Sequence, residues 1–553
     1  MKKIRIILFL GLGLFAFNSC ETTDLDLIDN PNNLTPNQAD VNFFMNDIQI
    51  NFARNVIRFG EFGSELTRID QMFGGGGNYQ TAYDDVNYNT VWSVSYQRII
   101  QDIRTMNPLA EELEFNKHIA VGQVIEAYLM MTLVDFFGDV PYSEAFDPLN
   151  LDPAVDSGAS VYAAALDLLD QALVNFDSET PGPGLGTDFY YNNNFEKWAK
   201  LANTLKMKAY IQTRLVDGGA VAAFEQIVTS GNYITANADN FVFNFGTQNQ
   251  NPDSRHPGYV AAYQVTGTSG YQSNWLMDVM KNDKSIADPR IRYYFYRQRN
   301  SVPVSFELIR CSVEPIPAHY ANCGATYCII DNAEGYWGRD HGNREGIPPD
   351  ARLKTARGLY PVGGRFDDNT FQGINNISRG ALGQGIAPVV LASSVDFWRA
   401  EASLFGGSGN ATAHVASGVD KSISYVKTFI SRDATANTAF VPPASETATY
   451  IAEVTANMNG AASSADRLDQ IGKEFFISLY GNGIDAYNFY RRTGAPRNIQ
   501  PHLEPNPGGF IRSHFYPANA ANNNANINQK PGVTQRVFWD TNPESGFPIV
   551  CGN

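Results

Sequence analysis

The sequence predicts a mostly α-helical protein in which helical hairpins frame an irregular, loop-rich insertion with short strands. The stretch from His118 to Ala145 is the first observation. Val121, Val124, Ile125, Tyr128 and Leu129 fall at helical spacing, and Met130, Met131, Leu133, Val134, Phe136 and Phe137 leave almost no polar side. A helix apolar all round is buried on all sides, so other helices must surround it. The second observation is helical periodicity on both sides of a long interruption. It runs through Val41, Phe44, Met45, Ile48 and Phe52 and returns at Val395, Phe397 and Trp398. The third is the interruption itself. From Tyr233 to about Pro388 the period gives way to Gly, Pro, Asn and aromatic residues.

The N-terminus reads as an address. Met1 to Arg5 is a short basic segment and Ile6 to Phe17 a short apolar one. That run is too short to span a bilayer, which needs roughly 20 residues, and has the length of a signal-peptide core. It ends at Asn18-Ser19-Cys20, a small residue before cysteine, which resembles a lipoprotein cleavage site. Residues 1–19 are therefore expected to be a signal peptide, and Cys20 a lipidated anchor. Residues 20–38, polar with Pro31 and Pro36, are expected to form a tether. Asp24, Asp26 and Asp29 lack the central Gly and terminal acid of a calcium loop. The chain of 553 residues carries a formal charge of −16 and no Lys/Arg-rich run, which disfavours a phosphate backbone as partner.

Residues 39–230 form the first part of the helical scaffold. Expected helices cover Val91–Asn107, Val161–Phe176, Phe195–Leu215 and Val221–Thr229. Paired helices of this length resemble tetratricopeptide hairpins, without a clean 34-residue repeat. Trp92 and Trp198 sit at helix-core spacing and read as packing residues. Between the helices, Phe73-Gly74-Gly75-Gly76-Gly77-Asn78-Tyr79 lacks the Gly-Lys-Ser/Thr end of a phosphate loop. It suits a surface loop presenting rings, or equally a linker whose rings pack back on the core.

Residues 231–393 form the insertion, and long ordered excursions usually carry function. Cys311, Cys323 and Cys328 lie in it, and Cys551 lies near the end. In an exported chain these favour disulfides, with three pairings open. Zinc is the competing reading, because His319 stands between the first two cysteines, but the spacing fits no paired-knuckle site. Residues 394–553 complete the scaffold, with Ser394 as a candidate N-cap.

Several separated motifs now point the same way. Phe136-Phe137-Gly138-Asp139-Val140-Pro141-Tyr142 resembles the helix-end signature of the SusD/RagB family of outer-membrane nutrient-binding lipoproteins. Asn274–Phe295, Gly335–Asp350, Ile471–Pro496 and Arg536–Asp540 are similar to further segments of that family, in the family's order. The resemblance implies a non-catalytic binder at the cell surface, lipid-anchored in the outer membrane. Such a protein captures a nutrient oligomer, a glycan more often than a peptide, for a SusC-like TonB-dependent transporter.

Capture of a glycan calls for rings stacked on sugar faces and planar polar groups that read hydroxyls. Phe73, Tyr79, Tyr83, Trp275, Tyr336, Trp337 and Arg339 are the candidates, and no motif of the family fixes them. The sequence shows no His-Glu-x-x-His, no Gly-x-Ser-x-Gly and no dinucleotide fingerprint opening a helix, so neither catalytic residues nor a cofactor or metal is expected. The alternative is a surface hydrolase using a carboxylate pair from the same loops.

Overall fold

The computed structural model describes residues 40–72, 77–301, 310–321, 327, 334–344, 352–543 and 547. The expected signal peptide, Cys20, the tether, Phe73, Cys323, Cys328 and Cys551 lie outside the described residues.

Helix α1 (Val41–Leu66) starts at Asp40, whose carboxylate accepts from Asn42 N. The short α2 (Tyr79–Ala82) follows. A long helix then runs in three parts: α3 (Asn89–Ser93), a π-helical stretch from Val94 to Ile100, and α4 (Gln101–Glu112). The sequence predicts an ordinary helix here, because a period of 4.4 residues is not distinguishable from 3.6 over seven positions.

Helix α5 (Asn116–Phe137) is the element inferred from the sequence, buried at every residue from His118 to Phe137. It is long and apolar enough to cross a membrane, yet it lies wholly inside the protein. It ends at Gly138, with φ of 78°, a value closed to most side chains. Strands β1 (Val140–Pro141) and β2 (Val155–Asp156) pair antiparallel across the loop that follows. Asp139 Oδ1 accepts from Gly158 N, 2.7 Å away, at the start of α6 (Gly158–Phe176), which Ser157 caps by accepting from Ser160 N. Helices α7 (Phe195–Thr213) and α8 (Ala220–Ser230) complete this part. Each of α5 to α8 packs on the next, as stacked tetratricopeptide-like hairpins do.

The insertion contains β3 (Phe241–Asn244), α9 (Pro257–Ala262), α10 (Asn274–Asn282), α11 (Ile291–Tyr294) and β4 (Phe295–Tyr296). Next come α12 (Arg310–Val313), α13 (Ala318–Ala321), β5 (Ala356–Arg357) and β6 (Ile386–Val390). Strand β3 pairs antiparallel with β6, Phe241 opposite Val390 and Asn244 opposite Ile386, so the chain enters and leaves the insertion through one ribbon. Strands β4 and β5 form a second pair.

The scaffold resumes with α14 (Ala392–Ser403), α15 (Ala411–Thr428), α16 (Ala444–Gly460), α17 (Ser464–Ser478), α18 (Ile484–Thr493) and α19 (Ala518–Asn523). Ser394 is not an N-cap. Helix α14 begins earlier, at Ala392, whose N–H donates to Asn240 Oδ1 at 2.8 Å. The cap comes from the start of the neighbouring strand, which no local pattern reveals. One hydrophobic core joins both scaffold parts, and Trp198, Trp275, Trp398 and Trp539 are among its fully buried side chains. Helix α1 crosses α18 closely: a Cβ on Gly63 would stand 2.3 Å from Gly483 O.

Candidate functional site

The aromatic residues singled out from the loops are placed in the core. Tyr79 is 3% exposed; its hydroxyl accepts from Arg68 Nη2 and lies 3.1 Å from His341 Nε2. Tyr83, also 3% exposed, donates to Glu65 Oε2 at 2.6 Å. Trp275 Nε1 donates to Asn498 O at 3.0 Å. Tyr336 lies under the Arg297 guanidinium, Trp337 N donates to Thr355 Oγ1, and Arg339 stacks on Tyr271 at 3.9 Å. All six are buried, and a buried ring offers no face to a ligand. The rings Tyr79, Tyr83, Trp275, Tyr336 and Trp337 join the same hydrophobic core as the scaffold helices. Cys311 is disulfide-bonded, with its partner outside the described residues.

Burial sets the electrostatics of this layer. Desolvation pushes the Glu65 carboxyl up to about 8, against the opposing hydrogen bond from Tyr83. Nearby, His256 Nδ1 accepts from Gly258 N at the start of α9, and burial drives its pKa down to about 3. The unfolded chain therefore takes up a proton at His256 near the ordinary value of about 6.5, well before the fold does. The stability from this group is full above that pH and is lost as pH falls toward 3. Glu65 acts oppositely, adding stability as pH falls from 8 toward its unfolded value. His256→Asn, which keeps a capping acceptor, isolates the histidine contribution. Urea denaturation at pH 7 and pH 5 should show the wild type losing about 2 kcal/mol more than the variant; equal losses would contradict a neutral His256.

An open groove of about 430 Å³ lies elsewhere, where the three-part helix meets α19. Trp92, Ser93, Tyr96, Gln97 and Gln101 line its floor. The π-helical stretch explains how they share a face, because a wider turn brings positions four and five apart into line. The Trp92 and Tyr96 ring centroids are 4.7 Å apart, and Phe146 stacks on Tyr96 at 6.1 Å. Tyr96 is fixed by donating to Pro141 O at 2.7 Å.

One wall is the loop between β1 and β2, contributing Phe146, Asn150 and Leu151. The other is α19 and the residues after it, contributing Asn519, Asn523 and Asn524. Asn519 Nδ2 donates to Ser93 Oγ and Asn524 Nδ2 to Pro153 O, each at 2.9 Å, which ties the second wall to the floor and to the first wall. At the rim, Leu149 is 91% exposed and Leu151 83%. Among the described residues no charged one lines the groove, and no group of three or more His, Cys, Asp or Glu side chains could hold a metal ion.

Sequence reasoning missed this groove. Trp92 does pack, on Phe137, but it also floors the groove. The asparagine-rich run from Asn519 to Asn526 was the available signal, since planar amides crowd there without helical or strand periodicity.

The comparisons with known proteins fit this architecture. A family model described as "Starch-binding associating with outer membrane" matches residues 31–305, and one described as "Susd and RagB outer membrane lipoprotein" matches residues 370–535. The chain belongs to the SusD/RagB family. It is accordingly an outer-membrane lipoprotein.

Solved SusD homologues share the fold. A chitin-binding one from Flavobacterium johnsoniae is 19% identical, with 91% of this chain and 99% of that one aligned at a TM-score of 0.63. One from Bacteroides fragilis is 18% identical over the same shares, at 0.64. One from Bacteroides uniformis is 20% identical, again over 91% and 99%, at 0.61. No curated protein sequence matches the chain.

Proposed function

We propose that this SusD/RagB protein is a non-catalytic receptor that captures an oligosaccharide in the groove and passes it to a SusC-like TonB-dependent transporter. The observation that carries the reading is the convergence of the stacked Tyr96 and Phe146 rings, supported from beneath by the buried Trp92, with amide side chains (Gln97, Gln101, Asn150, Asn519, Asn523 and Asn524). Rings cover the apolar faces of sugars, and planar amides read hydroxyls from the side. The chitin-binding homologue supports a glycan over a peptide. A hydrolase needs two carboxylates across its cleft, and among the described residues none lines this groove. Cys20 carries the lipid in this reading, which places the groove at the cell surface.

Calorimetry against neutral hexasaccharides (α- and β-linked glucose, N-acetylglucosamine, xylose and mannose) tests the capture. At least one should bind and be recovered intact. Phe146→Ala combined with Gln97→Ala should weaken that ligand by about tenfold or more, the loss of roughly one stacking contact and one hydrogen bond. Unchanged affinity moves the site off the groove. Detergent phase partitioning follows the anchor: Cys20→Ala should shift to the aqueous phase, and continued partitioning into detergent rules Cys20 out.

A further inference from the structure

We infer that the groove selects uncharged saccharides and rejects those bearing carboxylate or sulfate groups, so that the protein serves uptake of neutral glycans. The inference rests on the capture reading above and names its substrate class.

The first argument is composition. The polar side chains lining the groove are amides and one serine, and the rest are aromatic or aliphatic. An anionic sugar bound there would lose water from its charge without gaining a cation, a cost that neutral hydroxyls avoid.

The second is the rim. Glu144 Oε2 accepts from Asn150 Nδ2 and Ala154 N, Asp147 Oδ1 from Leu149 N, and Asp152 Oδ1 from Ala525 N. These bonds fold the wall loop and hold three carboxylates around the mouth. Arg104 lies 5.6 Å from the Phe146 ring centroid, but it is ion-paired with Glu126 and hydrogen-bonded to Tyr142. The mouth is therefore negative, on a chain whose formal charge is already −16.

A second open pocket, of about 580 Å³, contains Lys530 and Arg536. All three N–H donors of Lys530 are taken, by Phe137 O, Ser513 Oγ and His514 O. Any anion held there sits outside the groove, and competition distinguishes the two places.

The test uses the full chain and paired probes: the neutral hexasaccharides, oligogalacturonate, chondroitin sulfate oligomers, and N-acetylglucosamine hexamers with and without their acetyl groups. The wild type should prefer its best neutral probe over both anionic ones by more than about tenfold at low salt. The neutral affinity should change less than about twofold when salt is raised, since no charge pair is formed. Gln97→Lys, which places a cation on the floor, should narrow the preference against oligogalacturonate by about tenfold.

An anionic probe that displaces the neutral one and binds as tightly overturns the selectivity and leaves the capture reading standing. So do deacetylated hexamers that bind more tightly than acetylated ones, because the rim carboxylates would then be the recognition element. An anionic probe that binds without displacing the neutral one supports the inference. Failure of every saccharide to bind overturns the capture reading, and the inference with it.

Discussion

Glu401→Ala is expected to lower the stability of the protein by about 3–5 kcal/mol. Glu401 is fully buried on α14. It accepts from Arg214 Nε at 2.7 Å, and from Arg492 Nε and Nη2 at 2.8 and 2.7 Å. Arg214 follows the last turn of α7 and Arg492 belongs to α18, so one carboxylate joins three helices from both scaffold parts. Burial alone would raise its pKa, but Arg492 and Arg214 together hold it below the usual carboxylate range. Alanine leaves two buried guanidinium groups unneutralised, and removal of one partner from such a group costs far more than the intact group contributes. Glu401→Gln keeps the shape and one acceptor and should lose less. Urea denaturation followed by circular dichroism measures both variants. A loss below about 1 kcal/mol for the alanine variant would mean that water reaches the arginines and screens them.

Tyr79→Ala combined with Tyr83→Ala should remove stability and not affinity. Each truncation of a buried ring costs about 3–5 kcal/mol, and the pair together approaches the whole stability of an ordinary domain. The losses are specific. Tyr79 meets His341, His502 and Phe510 at 5.3–6.0 Å and is hydrogen-bonded to Arg68. Tyr83 packs on Phe62 and His514 and supplies the hydroxyl that pairs Glu65. The double variant should melt far below the wild type or fail to fold, and either single variant that folds should bind the neutral hexasaccharide with native affinity. A double variant with a native melting temperature but no binding would return the site to this loop. Tyr83→Phe, which keeps the ring and unpairs Glu65, should cost about 1–3 kcal/mol.

The particular residues divide by how far their environment extends along the chain. The path of α5 was legible because its own side chains declare it: a run apolar on every side has no stable place but a helical interior, and Gly138 stops it. The helices at 158–176 and 195–213 were legible from their own one-sided periodicity, since each buries one face and leaves the other open. The family resemblance, too, was carried by short contiguous motifs. By itself, then, the sequence determined a helical scaffold interrupted by a long insertion.

Only the tertiary structure decided which aromatic residues are interior. Tyr79, Tyr83, Trp275, Tyr336 and Trp337 stand in stretches whose composition looks solvent-facing, yet partners hundreds of positions away enclose some of them, such as His502 beside Tyr79 and Asn498 beneath Trp275. The groove is the converse case. Its floor, first wall and second wall come from residues 92–101, 141–153 and 519–527, and the asparagine run of the third does not by itself show which segments it faces. Burial and convergence depend on contacts between segments distant in sequence, whereas hydrophobic periodicity records only what each segment does within itself.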